Sequence, residues 1–519
     1  MSHENGSRDR KPSPSTSVYA VYGVEPEVQA YAMAKYSRSA LSMKESLREI
    51  SEQKAERFLN TYYFQYGHRS IADLAHIAMA IERLSILAAI AVVDEQRWDG
   101  QERSTRYQDF SHPDYYVPEF GGSGEARRLF CETIDFLFRE YQSISACMFR
   151  HLTERTPRPI DMKQEAYERT LRARAFDVAR YLLPLATNTS LGQIVNARTL
   201  ESQISRLLSE RFPEVRAIGE GLKEAARNPA YNVSESALRE LWEAIRSRDE
   251  AWGNRIRELL LKDVRPAPTL VKYAEASPYL MRSREELTAV AAELMAGAAI
   301  EPAAAVDLLD DEPLEIELAA TLLYEHCAYP YRQVRERVAA LGAGERREIV
   351  DLGVQHRGPH DELLRAFSAG QEFRFDILMD IGGFRDLHRH RRCVQIHQAF
   401  TAEHGYETPE DLAADVRDQY VAAMERVQGA IAELQRTVSP DALTEVPYLL
   451  PLAFRKRTLF KMDLAEAAYI AELRTTPSGH FSYRRIAYLM YEAVARRYPT
   501  LARHFRVTDV REPVDLLKR

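Results

Sequence analysis

The 519-residue chain is poor in cysteine, with four residues, and none of Cys131, Cys147, Cys327 and Cys393 stands in a CxxC spacing. That excludes a disulfide framework and a zinc-ribbon type of metal site, and it fits reduced thiols in a cytoplasmic protein. No apolar run of about 18 residues is free of charge, so no transmembrane helix and no membrane partner is expected. The polar, Pro/Ser-rich start MSHENGSRDRKPSPSTS has no apolar signal core and reads as a disordered tail over 1–17. One sign of charge does not dominate. The net charge of -7 argues against a general nucleic-acid binder, although local basic clusters can still hold a phosphate. Strand signals are few and short.

What is present is a globular composition, 45% hydrophobic and 28% charged, and an internal repeat. Val18-Tyr19-Ala20-Val21-Tyr22-Gly23 precedes Glu25-Pro26, and Val306-Asp307-Leu308-Leu309-Asp310-Asp311 precedes Glu312-Pro313. Each reads as a short strand, a turn and a helix start. Leu182-Leu183-Pro184-Leu185 returns as Leu449-Leu450-Pro451-Leu452. Thirteen residues past Leu183 and Leu450 stand Asn196 and Asp463, both good helix N-caps. Capping accounts for the residue types but not for the repeated spacing.

Ile71 to Val93 is apolar nearly all round and predicts a buried helix of about six turns. Amphipathic patterns predict helices near 124–153, 162–182, 233–262, 409–437 and 479–497. The fold expected is α+β, mostly helical with a small sheet, in two tandem copies. Their bounds are 18–262 and 305–519, joined by a linker over 263–304 that contains Arg265-Pro266-Ala267-Pro268.

Two stretches carry candidate chemistry. Glu102-Arg103-Ser104-Thr105-Arg106-Tyr107 lies in the first copy and Arg389-His390-Arg391 in the second. Arginines of this kind suit phosphate or carboxylate ligands, because the guanidinium is a fixed fork of donors. Gly67-His68-Arg69-Ser70-Ile71-Ala72-Asp73 opens the long apolar segment. A helix start there would suit an anion, while Ser70 with Asp73 also reads as a near capping box.

Together these motifs resemble the flavin-dependent thymidylate synthases, the ThyX family, whose members carry RHR and ExSxRY in one continuous motif. Here each copy keeps what the other has lost. Asp94-Glu95-Gln96 stands in the first copy where RHR is expected, and His397, Ala399 and Thr401 replace the Glu, Ser and Arg in the second. The resemblance implies a nucleotide loop made by Glu102, Ser104 and Arg106, with Arg180, Arg206 and Arg474 as further nucleotide ligands. Pro447 occupies the place of Arg180 in the second copy. It implies flavin contacts from His68, Ser70, Asp73, Asn196, Arg198, Arg389, His390 and Arg391, with Asp463-Leu464-Ala465 replacing the Asn-Ala-Arg in the second copy. Ser104, Arg106, Arg389, His390 and Arg391 become the candidate catalytic set. Ser104 is read as a positioning group, with a nucleophilic serine left open.

The activity so implied is methylation of dUMP, with FAD as cofactor and NADPH and methylenetetrahydrofolate as co-substrates. The halves would share composite sites, and the chain would pair as a homodimer forming a pseudo-tetramer. The alternatives are the same scaffold acting on another pyrimidine nucleotide, and a non-catalytic nucleotide- or flavin-binding relative.

Overall fold

The computed structural model describes residues 23–35, 69–110, 112–310, 313–358, 364–370, 372–503 and 505–517. In chain order the first elements are helix α1 (Pro26–Lys35), strand β1 (His76–Ser85), α2 (Ile86–Val93), β2 (Asp99–Glu102), α3 (Gly124–Arg155), α4 (Gln164–Ala179) and β3 (Asn188–Asn196). Then come α5 (Ala197–Leu208), α6 (Pro213–Arg227), α7 (Glu235–Arg246), α8 (Glu250–Leu260) and α9 (Pro278–Leu294). The second half holds β4 (Val306–Leu308), α10 (Leu314–Tyr324), α11 (Tyr331–Ala340), α12 (Ala343–Leu352), β5 (Phe373–Asp380), α13 (Ile381–Leu387) and β6 (Val394–His397). It ends with α14 (Ala414–Thr437), β7 (Arg455–Met462), α15 (Leu464–Arg474), α16 (Phe481–Arg497) and α17 (Pro499–Ala502). The class is α+β: helices predominate, and two small sheets have the orders β1-β3-β2 and β4-β5-β7-β6.

The chain divides into two compact units. One gathers Met1–Ile77 with Ala226–Leu270 so far as these are described. In it Glu27 of α1 accepts from the backbone N–H of Thr269 and Leu270, at 2.8 and 2.6 Å. The helix expected over 233–262 is two helices here. Asp249 breaks it, because its carboxylate caps α8 by accepting from Trp252 N at 3.0 Å.

The other unit, Ala78–Ala225 with Val271–Arg519, contains residues of both sequence halves and both sheets. Here the expectation of one long helix over Ile71–Val93 is corrected. The segment is a short 3-10 turn (Arg69–Leu74), then β1, then α2. An all-round apolar run does not distinguish a strand from a helix. Ser85 decides the matter. Its Oγ accepts from Ala88 N at 3.0 Å, while its own N–H and Oγ–H donate to Glu214 at 2.8 and 2.6 Å. The helix therefore starts at Ile86.

The same device recurs. β1, β3 and β5 end on a polar capping residue, Ser85, Asn196 and Asp380, β7 is followed at once by Asp463, and each cap leads directly into a helix. The caps accept from the third helical N–H, on Ala88, Thr199, Gly383 and Glu466, at 2.7 to 3.0 Å. The sequence repeat is thus a repeat of strand–cap–helix corners. The expected strand before Glu312-Pro313 is present as β4, while its partner Val18–Tyr22 lies outside the described residues. The stretch read as linker contains helix α9.

The two Leu-Pro repeats meet. Leu185 N donates to Leu450 O at 2.8 Å, Leu452 N to Leu183 O at 2.9 Å, and Pro184 faces Pro451 in an antiparallel bridge. The long helices α3 and α14 also pack together. Gln419 reaches Glu140 at 2.6 Å, and Arg426 stacks on the Phe136 ring at 4.0 Å. Tyr141, Phe130, Phe138, Tyr420, Val427 and Leu434 are buried in that region. Two-sided burial of aromatic and aliphatic side chains joins the halves into one core.

Candidate functional site

The corner β5–Asp380–α13 positions the RHR triplet. Asp380 Oδ1 accepts from Gly383 N at 2.7 Å, and α13 ends just before His388. Two glycines allow close packing here. A Cβ on Gly383 would meet Ser482 Oγ at 2.6 Å, and one on Gly382 would lie 3.3 Å from Arg180 Nη2. Arg180, on the 3-10 turn that ends α4, therefore lies against the helix that precedes RHR.

Asp386 of α13 is the centre of the cluster. It accepts from Arg180 Nη1 at 3.3 Å through Oδ2 and from Arg389 Nη2 at 2.5 Å through Oδ1. Burial pushes its carboxyl up, but the guanidiniums of Arg180, Arg389 and Arg106 outweigh burial and hold it below the usual carboxylate range. Arg106 comes in from the loop after β2. Its Nε and Nη2 donate to the two oxygens of Asp177 at 2.7 and 3.1 Å, and its Nη1 to Tyr483 Oη at 3.1 Å. Burial works against the Arg106 charge, yet Asp177 stabilises it and raises its pKa. Arg474, at the end of α15, lies over the Tyr483 ring at 5.4 Å and donates through Nε to His390 Nε2 at 2.8 Å. Arg180 is 2% exposed, and its Nε and Nη2 have no hydrogen-bond partner among the described residues. A buried guanidinium with idle donors is a site prepared for an acceptor.

The remaining sequence candidates fall around this cluster. Ser104 Oγ accepts from Arg106 N at 3.2 Å, which shapes the loop. Glu102 binds Arg385 of α13, so the acid of one motif fragment holds the helix before the other. Arg391 is paired with Asp99 at 2.7 Å, and Arg389 and Arg391 are both exposed. His390 is buried and has Glu466 Oε1 3.3 Å from its Nδ1. Sequence reasoning missed Asp177, Asp386, Glu466, His480 and Tyr483. His480 caps α16 and donates from Nε2 to Asp177 O at 2.9 Å. Burial pushes its pKa down to about 3, so the ring stays neutral. Asp386 could have been found as the acid one helical turn before Arg389.

A second cluster surrounds the first copy's Asp94-Glu95-Gln96. Asp94 binds Arg365 and has His397 Nε2 at 3.5 Å and His388 Nε2 at 3.6 Å. Glu95 accepts from Arg206 Nε at 2.9 Å, and Arg206 Nη2 donates to Ala91 O. Arg206 is therefore neutralised by a carboxylate and stays apart from the Asp386 cluster as far as its hydrogen bonds show. A cleft is lined by Asp94, Glu95, His388, His390, Arg391 and Cys393 among others, so two residues of the RHR triplet and its acidic counterpart line the same cleft. Asn196 serves as the α5 cap, and Arg198 is half-buried on that helix. Asp73 lies in the 3-10 turn Arg69–Leu74 of the other unit. His68 lies outside the described residues, as does the side chain of Ser70.

The α+β fold with duplicated corners, carrying arginines from both sequence halves around Asp386 and Tyr483, is that of a protein of duplicated origin. A family model described as "Thymidylate synthase complementing protein" matches residues 21–228 and 309–500. The chain belongs to that family, the flavin-dependent thymidylate synthases, and is a tandem, divergent member of it. It is 27% identical to a UPF0159 protein of Chlamydia muridarum (strain MoPn / Nigg), over 95% of this chain and 92% of that protein. It is 26% identical to a UPF0159 protein of Thermoplasma acidophilum, over 92% and 94%. A flavin-dependent thymidylate synthase of Clostridium tetani is 25% identical over 39% of this chain and 82% of its own length. Among solved structures, ThyX of Helicobacter pylori with FAD and dUMP aligns with 16% identity and a TM-score of 0.24, covering 38% of this chain and 88% of that chain.

Proposed function

We propose that this protein is a FAD-dependent, thymidylate synthase-like enzyme that methylates dUMP to dTMP with methylenetetrahydrofolate and NADPH, through one composite site per chain. The observation that carries the reading is the convergence of Arg106 and Arg180 from the first half with Arg389 and Arg474 from the second, around Asp386 and Tyr483. The guanidiniums of Arg106, Arg180 and Arg474 are gathered there by Asp177, Asp386 and His390, and a phosphate monoester, with about -1.5 to -2 charge at neutral pH, is the kind of ligand that such a donor set suits. The idle donors of Arg180 supply hydrogen bonds without further desolvation cost, because that side chain is already buried.

In this reading Arg106, Arg180 and Arg474 hold the phosphate, and Ser104 with Glu102 shapes the loop over the pyrimidine. Arg206 is left out of this phosphate set because its hydrogen bonds place it in the separate cluster around Asp94 and Glu95. Arg391 lines the cleft with His390, and Arg389 is an exposed guanidinium two residues before it; guanidiniums of this kind suit the anionic pyrophosphate of FAD. They would hold FAD with His390, and Asn196 and Arg198 are proposed as its further contacts. The flavin supplies the redox chemistry when bound. The protein's own part is to orient the pyrimidine, exclude water and polarise the ring with fixed cations, which raises the reactivity of a poorly nucleophilic carbon. A homodimer forming a pseudo-tetramer belongs to the same proposal.

A second reading is favoured by Asp386 itself. An internal carboxylate already sits among the arginines, as it would in a non-catalytic nucleotide- or flavin-binding relative. Two measurements separate the readings. The purified protein should show a flavin spectrum at no more than one FAD per chain, and it should release tritium from dUMP labelled at carbon 5. Binding of both ligands without release supports the non-catalytic relative. A colourless protein that takes up no added FAD overturns the enzyme reading.

A further inference from the structure

We propose that Glu466 is a positioning residue of the composite site: it fixes the proton of His390 on Nδ1, so that Nε2 must accept from Arg474 and hold that guanidinium toward Tyr483 and Arg106. The inference rests on the reading of Arg474 as a nucleotide ligand. Glu466 is buried in the first turn of α15, with Oε1 3.3 Å from His390 Nδ1. At the other edge of the ring, Arg474 Nε lies 2.8 Å from Nε2. A guanidinium Nε always carries its hydrogen and has no lone pair to offer. His390 Nε2 is therefore the acceptor, and the ring proton is left on Nδ1, where a carboxylate oxygen meets it. Burial pushes the His390 pKa down, which keeps the ring neutral between these partners.

Both partners stand on α15, Glu466 at its start and Arg474 at its end, so one helix grips both edges of the imidazole. From Arg474 the chain of contacts runs to Tyr483, whose hydroxyl accepts from Arg106 Nη1, and from Arg106 to Asp177. Glu466 thus acts at a distance on a cluster that it does not enter. Arg392 is its other charged neighbour, with Nε 4.0 Å from Oε2. The first copy lacks the device. Thr199 stands three residues after its cap Asn196, where Glu466 follows Asp463, and its Asp94-Glu95-Gln96 contains no histidine to orient. The acid and the histidine occur in the same half.

The test uses full-length protein labelled with 15N-histidine, with His390 assigned by comparison with His390→Gln. Long-range proton–nitrogen spectra report the tautomer and need no ligand. The expected result is Nδ1–H in the wild type. Glu466→Leu should shift the population to Nε2–H and weaken dUMP binding about tenfold. Glu466→Gln, whose amide oxygen still accepts, should keep the tautomer and stay within about threefold of wild-type affinity. An Nε2–H or doubly protonated ring in the wild type overturns the proposal, whether or not the Leu variant folds. So does a Glu466→Leu protein with unchanged tautomer and affinity, or a Gln variant as impaired as the Leu one. If wild-type protein shows Nδ1–H but binds no dUMP, the relay stands and the functional reading of Arg474 fails.

Discussion

The corners β5–Asp380–α13 and β1–Ser85–α2 share a backbone device and differ in the residues that come next. After α13 stands Arg389-His390-Arg391, beside a buried arginine with idle donors. After α2 stands Asp94-Glu95-Gln96, whose carboxylates are taken up by Arg365 and Arg206. The fold was kept at both places, because the cap and the apolar helix serve the core. The charges were not kept. One corner lies beside a buried guanidinium with idle donors, and the other pairs its carboxylates with two arginines. Reciprocal loss of function-bearing residues within a fused pair is therefore compatible with two intact corners.

The most severe test exchanges the two corners' chemistry. Replacing Asp94, Glu95 and Gln96 by Arg, His and Arg puts a guanidinium against Arg365 and leaves Arg206 without its partner. Breaking a largely buried pair costs about 3–5 kcal/mol, so urea unfolding should show a loss of at least that size. The FAD content should not rise above one per chain. A stable variant that binds a second FAD would remove the distinction between the corners.

Next in size are the arginines of the intact corner. On the proposed reading, Arg106→Ala and Arg180→Met each remove a charge-assisted contact to the nucleotide phosphate. Titration with dUMP should show a loss of about 1.5–3 kcal/mol, roughly ten- to a hundredfold, with FAD binding nearly intact. Arg391→Ala should do the reverse. If Arg106→Ala lost flavin and kept nucleotide, the roles assigned to the two loops would have to be exchanged. If neither variant changed either affinity, the motifs would be inherited surface features.

Much of the repeat was legible in the sequence, because it is written in short-range chemistry. Leu-Pro spacing and capping residues mark Asn196 and Asp463 without knowledge of the fold. Ser85 was not read as a cap, since an apolar run on both sides hid it, and the strand β1 was taken for helix. Only Glu214, far along the chain, shows what Ser85 does. The arginines of the site were visible as types, and Arg206 shows the limit of that. Its position matched Arg474, but its partner Glu95 is set by tertiary structure. Asp177, Glu466 and Tyr483 were not legible, because each acts through a residue from a distant part of the chain.

The smallest expected effect concerns pH, and it separates the corners by their histidines and carboxylates. His388 is buried, donates from Nδ1 to Gln395 Oε1 at 2.8 Å, and is pushed down to about 4 by burial, with Asp94 opposing that push and His397 and Arg365 adding to it. An unfolded histidine titrates near 6.5, so above that pH His388 is neutral in both states and contributes no pH dependence. As the pH falls below 6.5 the unfolded chain takes up a proton that the folded chain refuses. Stability therefore falls until the pH passes about 4. Asp386, held below the usual carboxylate range by its arginines, stays ionised throughout that window. His404 and His480 are pushed down by burial as well and lose stability over the same interval, so urea unfolding at pH 6.5 and 5.5 should show a loss in His388→Asn that is smaller than the wild-type loss by about 1 kcal/mol. dUMP affinity, corrected for the phosphate's own titration, should be constant over the same interval. An equal loss in both proteins would place the acid sensitivity elsewhere, and a parallel loss of dUMP affinity would show that the corners titrate as one.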